Sequence, residues 1–220
     1  QGSMNDTWVL TNANGSGGTP VWSQLSPTGT PPSPRNGHRA VYDHANDRMV
    51  VFGGNNDGCT PTQFNEVWVL SGSRAGNPTW MKLTTSGTPP APRVLPAVAY
   101  DPARNKLIVF GGNTSEGNCG FERNDTWVLS NANGLGVSPT WTQLTPSVPL
   151  PTARWHTPGI YDPNTDAFTV FGGGPNCGPP PASTTRGCSR TSHPRHSGCS
   201  SRPHHRPPCA PRIPRYTTPG

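Results

Sequence analysis

Lysine is nearly absent from the first 173 residues of this 220-residue chain, where only Lys82 and Lys106 occur. Arginine does not make up the difference. Those residues carry 10 Lys+Arg against 11 Asp+Glu, a balance of −1 that leaves no basic face for nucleic acid. No apolar run approaches the length needed to cross a bilayer as a helix, so no membrane span is expected. No stretch repeats its apolar residues at the helical period either. Acid is missing altogether from residues 174–220, which hold 7 Arg against none, so the formal net charge of +6 belongs to that tail.

What is present is a repeat. A run ending in Val-Phe-Gly-Gly occurs at Val51–Gly54, Val109–Gly112 and Val170–Gly173, at a spacing of roughly sixty residues. Arg35, Arg93 and Arg154 each precede by seven residues a Tyr-Asp pair, headed by Tyr42, Tyr100 and Tyr161. Asn65-Glu66-Val67-Trp68 and Asn124-Asp125-Thr126-Trp127 follow the first two glycine pairs, and Asn5-Asp6-Thr7-Trp8 opens the chain. A Trp-x-x-Leu comes next each time, at Trp22, Trp80 and Trp141.

Each unit thus holds four short β-branched and aromatic runs separated by Gly, Pro, Asn and Asp, which is the chemistry of strands and turns. Such a unit cannot bury both faces alone, so successive sheets must stack around an axis. Strand A, innermost, is expected at Arg39–Tyr42, Ala97–Tyr100 and Pro158–Tyr161, and strand B should end in the glycine pair. Gly53, Gly54, Gly111, Gly112, Gly172 and Gly173 then mark positive φ or close approach of backbone to backbone. The Pro-rich stretches 26–35, 84–93 and 145–154 should run extended from an outer strand to the next inner one.

Pro-Arg-x-x-His, a strand, a turn, a strand ending Gly-Gly, a Trp strand and Trp-x-x-Leu together resemble the Kelch repeat over residues 5–173, and so the galactose-oxidase type of central domain. The His of that motif is kept only as His38, with Pro96 and Thr157 at the matching places. The resemblance implies an all-β fold, an incomplete β-propeller of four-stranded antiparallel blades. The expected parts are a half blade at 5–25, blades at 38–84 and 96–145, and a half blade at 154–173, about three blades in all.

The tail, 174–220, is expected to be disordered and out of frame. Ser183–Thr191 permits the codons TCA ACG ACA CGT GGG TGC TCT CGA AC. With a cytosine in front and the frame moved by one base, the string encodes Leu-Asn-Asp-Thr-Trp-Val-Leu-Ser-Asn, which repeats Asn124–Asn131. The tryptophan codon falls at position 187, sixty after Trp127. Asn176-Cys177-Gly178 still matches Asn118-Cys119-Gly120, which places a lost base in the codons of Pro179–Pro181. The rival reading, Cys188, Cys199 and Cys209 with four histidines as metal ligands, fits no zinc spacing.

Recurrence also weighs the candidate site residues. Arg35, Arg93 and Arg154 either line a central channel for an anion or, the favoured reading, brace adjacent blades through backbone carbonyls. Trp8, Trp68, Trp127, Trp22, Trp80 and Trp141 are assigned to the core between blades, and so are the tyrosines. Trp155 does not recur and is expected to be exposed. Cys59, Cys119 and Cys177 recur in the loops behind the glycine pairs, as disulfide partners in an exported protein or as duplicated loop residues. Sequons stand at Asn5, Asn14, Asn113 and Asn124.

The loops Asn55–Phe64, Asn113–Arg123, Thr11–Pro20, Ser71–Pro78 and Ser130–Pro139 vary where a partner would be read. They are rich in Asn, Gly, Ser and Thr with single acids such as Asp57 and Glu116, which suits hydrogen bonding. The expected function is non-catalytic recognition of a protein or glycan, extracellular or at the cell surface, without cofactor or metal. The alternative is a piece of a propeller-based carbohydrate enzyme such as a copper radical oxidase or a sugar isomerase. No converging ligand set supports it, since His38, His44 and His156 are scattered and the three tyrosines share one repeat position.

Overall fold

In the computed structural model the described residues are 2–56, 61–115 and 121–175, all within one compact unit spanning Gln1–Gly178. Cys59, Cys119, Cys177, Asp57, Glu116 and the tail from 176 onward, including the expected disorder, lie outside them. No helix occurs among the described residues, and hence none long and apolar enough to cross a membrane.

The strands fall into four antiparallel sheets. β1 (Thr7–Thr11) pairs with β2 (Val21–Leu25). β3 (Arg39–Asp43), β4 (Arg48–Phe52), β5 (Val67–Ser71) and β6 (Thr79–Lys82) form the first complete blade in chain order. β7 (Ala97–Asp101), β8 (Lys106–Phe110), β9 (Thr126–Ser130) and β10 (Trp141–Leu144) form the second. β11 (Gly159–Asp162) and β12 (Ala167–Val170) form a second pair. The inner strand β7 lies against β3 on one side and β11 on the other, so the A strands gather at a common hub. The protein is an incomplete propeller.

Side-chain alternation gives both faces of each complete sheet something to bury. In the first blade Val50, Phe52, Val67 and Val69 face the second blade and pack with Leu107, Val109, Trp127, Leu129 and Trp141. The ring of Phe52 meets that of Trp141 at 5.5 Å between centroids. The opposite face carries Val51, Trp68, Leu70 and Trp80. Each fully buried large side chain contributes roughly 1.5–3 kcal/mol, so this inter-sheet layer is the main source of stability.

Strand B stops immediately before the glycine pair at Phe52 and Phe110, and one residue short of it at Val170. The glycines form the bend that follows. All six have positive φ, from 65° to 94°. A Cβ on Gly53 would lie 2.8 Å from the carbonyl oxygen of Arg93, and one on Gly111 2.7 Å from that of Arg154. The amides of Gly54 and Gly112 donate to those same carbonyls at 3.0 and 2.9 Å. Both reasons for glycine therefore operate together where one blade touches the next.

Three expectations for the aromatic core need correction. Tyr42, assigned to that core, is 40% exposed. Trp8 and Trp22 belong to β1 and β2 and are 50% and 63% exposed, because no described sheet lies on that side of the pair. Trp155 is half-buried and packs edge-on against His156, rather than standing free in solvent.

Candidate functional site

The repeated arginines sit at the end of the blades where the Pro-rich crossings arrive. The Arg93 side chain is 1% exposed. Its Nε donates to Ala91 O, its Nη1 to Gly111 O at 2.8 Å, and the guanidinium grips Asp125 in two bonds of 2.7 and 2.9 Å. Arg35 repeats the pattern with Ser33 O, Gly53 O and Glu66 Oε2 at 2.9 Å. Arg154 makes the bonds to Thr152 O and Gly172 O, but no described carboxylate reaches it. The side chains thus brace their own blades, and it is the arginine backbone that joins neighbours. Arg93 N donates to Phe64 O and Arg93 O accepts from Gly54 N.

The carboxylate half of this bracket was not assigned from sequence. Asp6, Glu66 and Asp125 stand two residues before their tryptophans and accept the indole N–H at 2.6, 3.0 and 2.7 Å. That fixed offset was the available signal. Burial works against the Glu66 carboxylate, but hydrogen bonds from Lys82, Trp68 and Arg35 outweigh it and hold its pKa down at about 2. Asp125 is lowered in the same way, with burial opposed by Arg93.

At the other end of the blades the tyrosines form a relay around the hub. Tyr100 Oη donates to Asp43 of the preceding blade at 3.1 Å, and Tyr161 Oη to Asp101 at 3.3 Å. Burial, then the Asp43 charge, raises the Tyr100 pKa, while the hydrogen bond to Asp166 heads the causes that push Tyr161 up to about 12. Asn133, 3% exposed, reaches across from the β9–β10 loop to Asp43 Oδ2 at 2.7 Å. The loop 130–139, one of those where a partner would be read, is therefore pinned at Asn133. Its Asn-Ala-Asn-Gly also stands at Asn12–Gly15, a repeat not exploited in the sequence.

What remains uncommitted is the mouth of the hub. A cleft of about 430 Å³ opens there, lined by Arg39, Ala40, Val98, His156, Thr157, Pro158 and Gly159. Leu95 and His156 hold φ of 52° and 56° at the place Gly37 occupies one blade earlier. A chain of backbone bonds fixes them: Leu95 N to Gly37 O at 2.7 Å, then His156 N to Leu95 O at 3.1 Å. Left-handed non-glycine residues are unusual, and here the backbone bonds between successive blades hold them. Arg39 Nε donates to Pro96 O and His156 is exposed. His38, behind them, has its pKa lowered by burial and then by Arg35 and Arg39. No set of three or more His, Cys, Asp or Glu among the described residues is placed to hold a metal ion.

Comparison with known proteins agrees with this architecture. The KLHDC2/KLHL20/DRC7 Kelch-repeats domain matches residues 1–177. Dynein regulatory complex subunit 7 of Chlamydomonas reinhardtii is 32% identical over 96 residues, 44% of this chain and 8% of that protein. Rab9 effector protein with kelch motifs from Rattus norvegicus is 33% identical over 120 residues, 50% of this chain and 31% of its own length. The chain therefore spans less than a third of these relatives. A copper-bound fungal alcohol oxidase of the AA5 family superposes with a TM-score of 0.54 and 18% identity, over 79% of this chain and 33% of that one, a likeness of fold alone. On repeat, fold and family match together, the chain belongs to the Kelch-repeat family.

Proposed function

We propose that the protein is a non-catalytic interaction module whose partner is another protein, engaged at the hub mouth and the loops that surround it. One observation carries this reading. The side chains that recur most strictly are consumed by the scaffold: arginines by glycine carbonyls and acids, tyrosine hydroxyls by Asp43, Asp47 and Asp101, and four indoles by the core. A catalytic reading needs tyrosine and histidine free to converge on one point, and these tyrosines are tied down at the opposite end from His38 and His156. The rim keeps a partly exposed cation at Arg39, an exposed imidazole at His156 and a concave floor, which suit an extended peptide segment. Kelch relatives that carry "effector" and "regulatory complex subunit" in their names support the same class.

The test is affinity capture with the full chain. A specific protein should be retained by the wild type and lost at least tenfold with Arg39→Ala or His156→Ala, while a substitution in the far loop, Ser138→Ala, changes nothing. Saturable binding on a glycan array without protein capture would replace the partner class. Stoichiometric copper with turnover of an alcohol would overturn the reading.

A further inference from the structure

We propose that the outer rim between the two complete blades is a second docking surface, at the opposite end of the blades from the hub mouth. Its partner is a peptide segment of another protein that presents aliphatic side chains beside a carboxylate.

A row of side chains leads to it. Val50, Val69 and Met81 lie opposite one another on neighbouring strands and share the face turned to the second blade. The two valines are 1% exposed, but Met81, at the outer end, is 41% exposed. The loop Ser130–Pro139 of the second blade crosses there. A Cβ on Gly134 would lie 2.8 Å from Met81 Cε and 2.9 Å from Leu83 Cδ2. Leu135 and Val137 follow in the chain, 41% and 76% exposed.

The repeat supplies a control. The loop Thr11–Pro20 makes the same turn, with φ of 52° and 75° at Asn12 and Gly15 against 51° and 74° at Asn131 and Gly134. It carries Ser16 and Gly18 where the later loop has Leu135 and Val137. Ser71–Pro78 holds no large apolar side chain at all. Met81 departs in the same way, since Ser23 and Thr142 stand at its place opposite Val9 and Val128. The turn and the sheet therefore form without any of the three. A single exposed apolar side chain is ordinary, but three that leave the repeat together at one seam make a patch for a partner. Both sheets at this seam are complete, so the exposure does not come from a missing neighbour, as it does at Trp8 and Trp22.

Arg48 sets the polar part of the partner. Its Nη1 donates to Asn133 O at 3.0 Å and lies 3.7 Å from the Cβ position of Gly134, so the cation stands beside Met81. No described carboxylate pairs with it. Asp43, opposite it on the hairpin, is turned instead to Asn133, Tyr100 and Asn46. A half-buried guanidinium beside aliphatic surface is matched by a carboxylate that follows or precedes the partner's apolar side chains. The loop is also fixed in advance. Asn133 Oδ1 accepts from Leu135 N at 2.9 Å and from Asn105 Nδ2 at 2.7 Å, and Gly134 N donates to Asn131 O at 3.0 Å. Little ordering is left to oppose binding.

The experiment selects a random displayed peptide library on the full chain. It keeps the peptides whose affinity, read by fluorescence anisotropy, falls at least about tenfold when Leu135→Ser and Val137→Gly are combined. That variant takes the residues of the Thr11–Pro20 loop and should keep the wild-type circular dichroism. The peptides should share aliphatic side chains next to Asp or Glu. Changing that acid to its amide should weaken binding to the wild type roughly fivefold or more, and should cost nothing further once Arg48→Gln is present. Selection that yields no such peptide, or an acid that can be replaced without loss, would overturn the proposal. So would peptides that Arg39→Ala releases as well, because they belong to the hub mouth. Light scattering or vesicle flotation in which the same double substitution abolishes self-association or lipid binding would make a second copy or a membrane the occupant, and would overturn it too.

Discussion

Trp127 and Trp8 stand at the same point of the same motif, each with its indole N–H on the acid two residues earlier, yet one is 8% exposed and the other 50%. The motif fixes where the ring is held; the neighbouring sheet decides whether it is buried. The complete blades, β3 to β10, are flanked on both sides, and the half blades only on one. In a repeat architecture stability is a sum over such interfaces, so identical residues are worth different amounts in the two regions.

The largest effect is expected from adding the missing neighbour in cis. One cytosine inserted in the codons of Pro179–Pro181 would supply the chain's own Asp and Trp for the half blade β11–β12. Pairing the open edge of β12 and giving Arg154 its carboxylate should raise thermal unfolding by more than about 5 °C. An unchanged melting temperature would break the frame reading, and so would sequenced DNA in which no base is missing.

Next come single substitutions that set the two regions against each other. Trp127→Ala should cost about 3–5 kcal/mol in urea unfolding, the range for a large aromatic lost from a packed core. Trp22→Ala, 63% exposed, should cost less than about 1 kcal/mol. Arg93→Ala strands Asp125 and the Gly111 carbonyl and should cost about 3–5 kcal/mol. Arg154→Ala has no carboxylate to strand, so its unfolding cost should fall within about 1 kcal/mol. Equal costs in the tryptophan pair would mean that the neighbouring sheet contributes nothing, and equal costs in the arginine pair that the carboxylate of the same blade does not.

The same comparison explains what could be read in advance. Strands, glycine bends and the tryptophan core followed from period and recurrence, because each is dictated locally and repeated. The exposure of Trp8 and Trp22 did not, since the motif carries no record of whether a neighbour exists. The arginine bracket was half legible: the carbonyl acceptors follow from the arginine's recurrence. Glu66 and Asp125 went unassigned because Glu and Asp alternate at that place and lie 31 and 32 residues from their arginines. The hub mouth was illegible. Gly37, Leu95 and His156 share one backbone conformation with three unrelated side chains, so nothing in the letters marks the position.

The smallest effect is expected from pH, and Glu66 and Asp47 read it in the first complete blade. Glu66 titrates at about 2 in the folded chain against 4.5 ordinarily, so its contribution is fully present above the unfolded value and is lost as pH falls through the folded one. Asp47, held at about 2 against burial by Tyr42, the Arg74 amide and Ser73, adds to the same limb. Stability should therefore decline between roughly pH 5 and 2. Glu66→Gln should remove its share of that slope and leave the share of Asp47, because the two carboxylates lie at opposite ends of the first complete blade and have no hydrogen-bond partner in common. Urea midpoints taken across that range for both chains decide it: parallel curves would mean that the Arg35–Glu66 bridge, though buried on its arginine side, is too well hydrated to couple to folding.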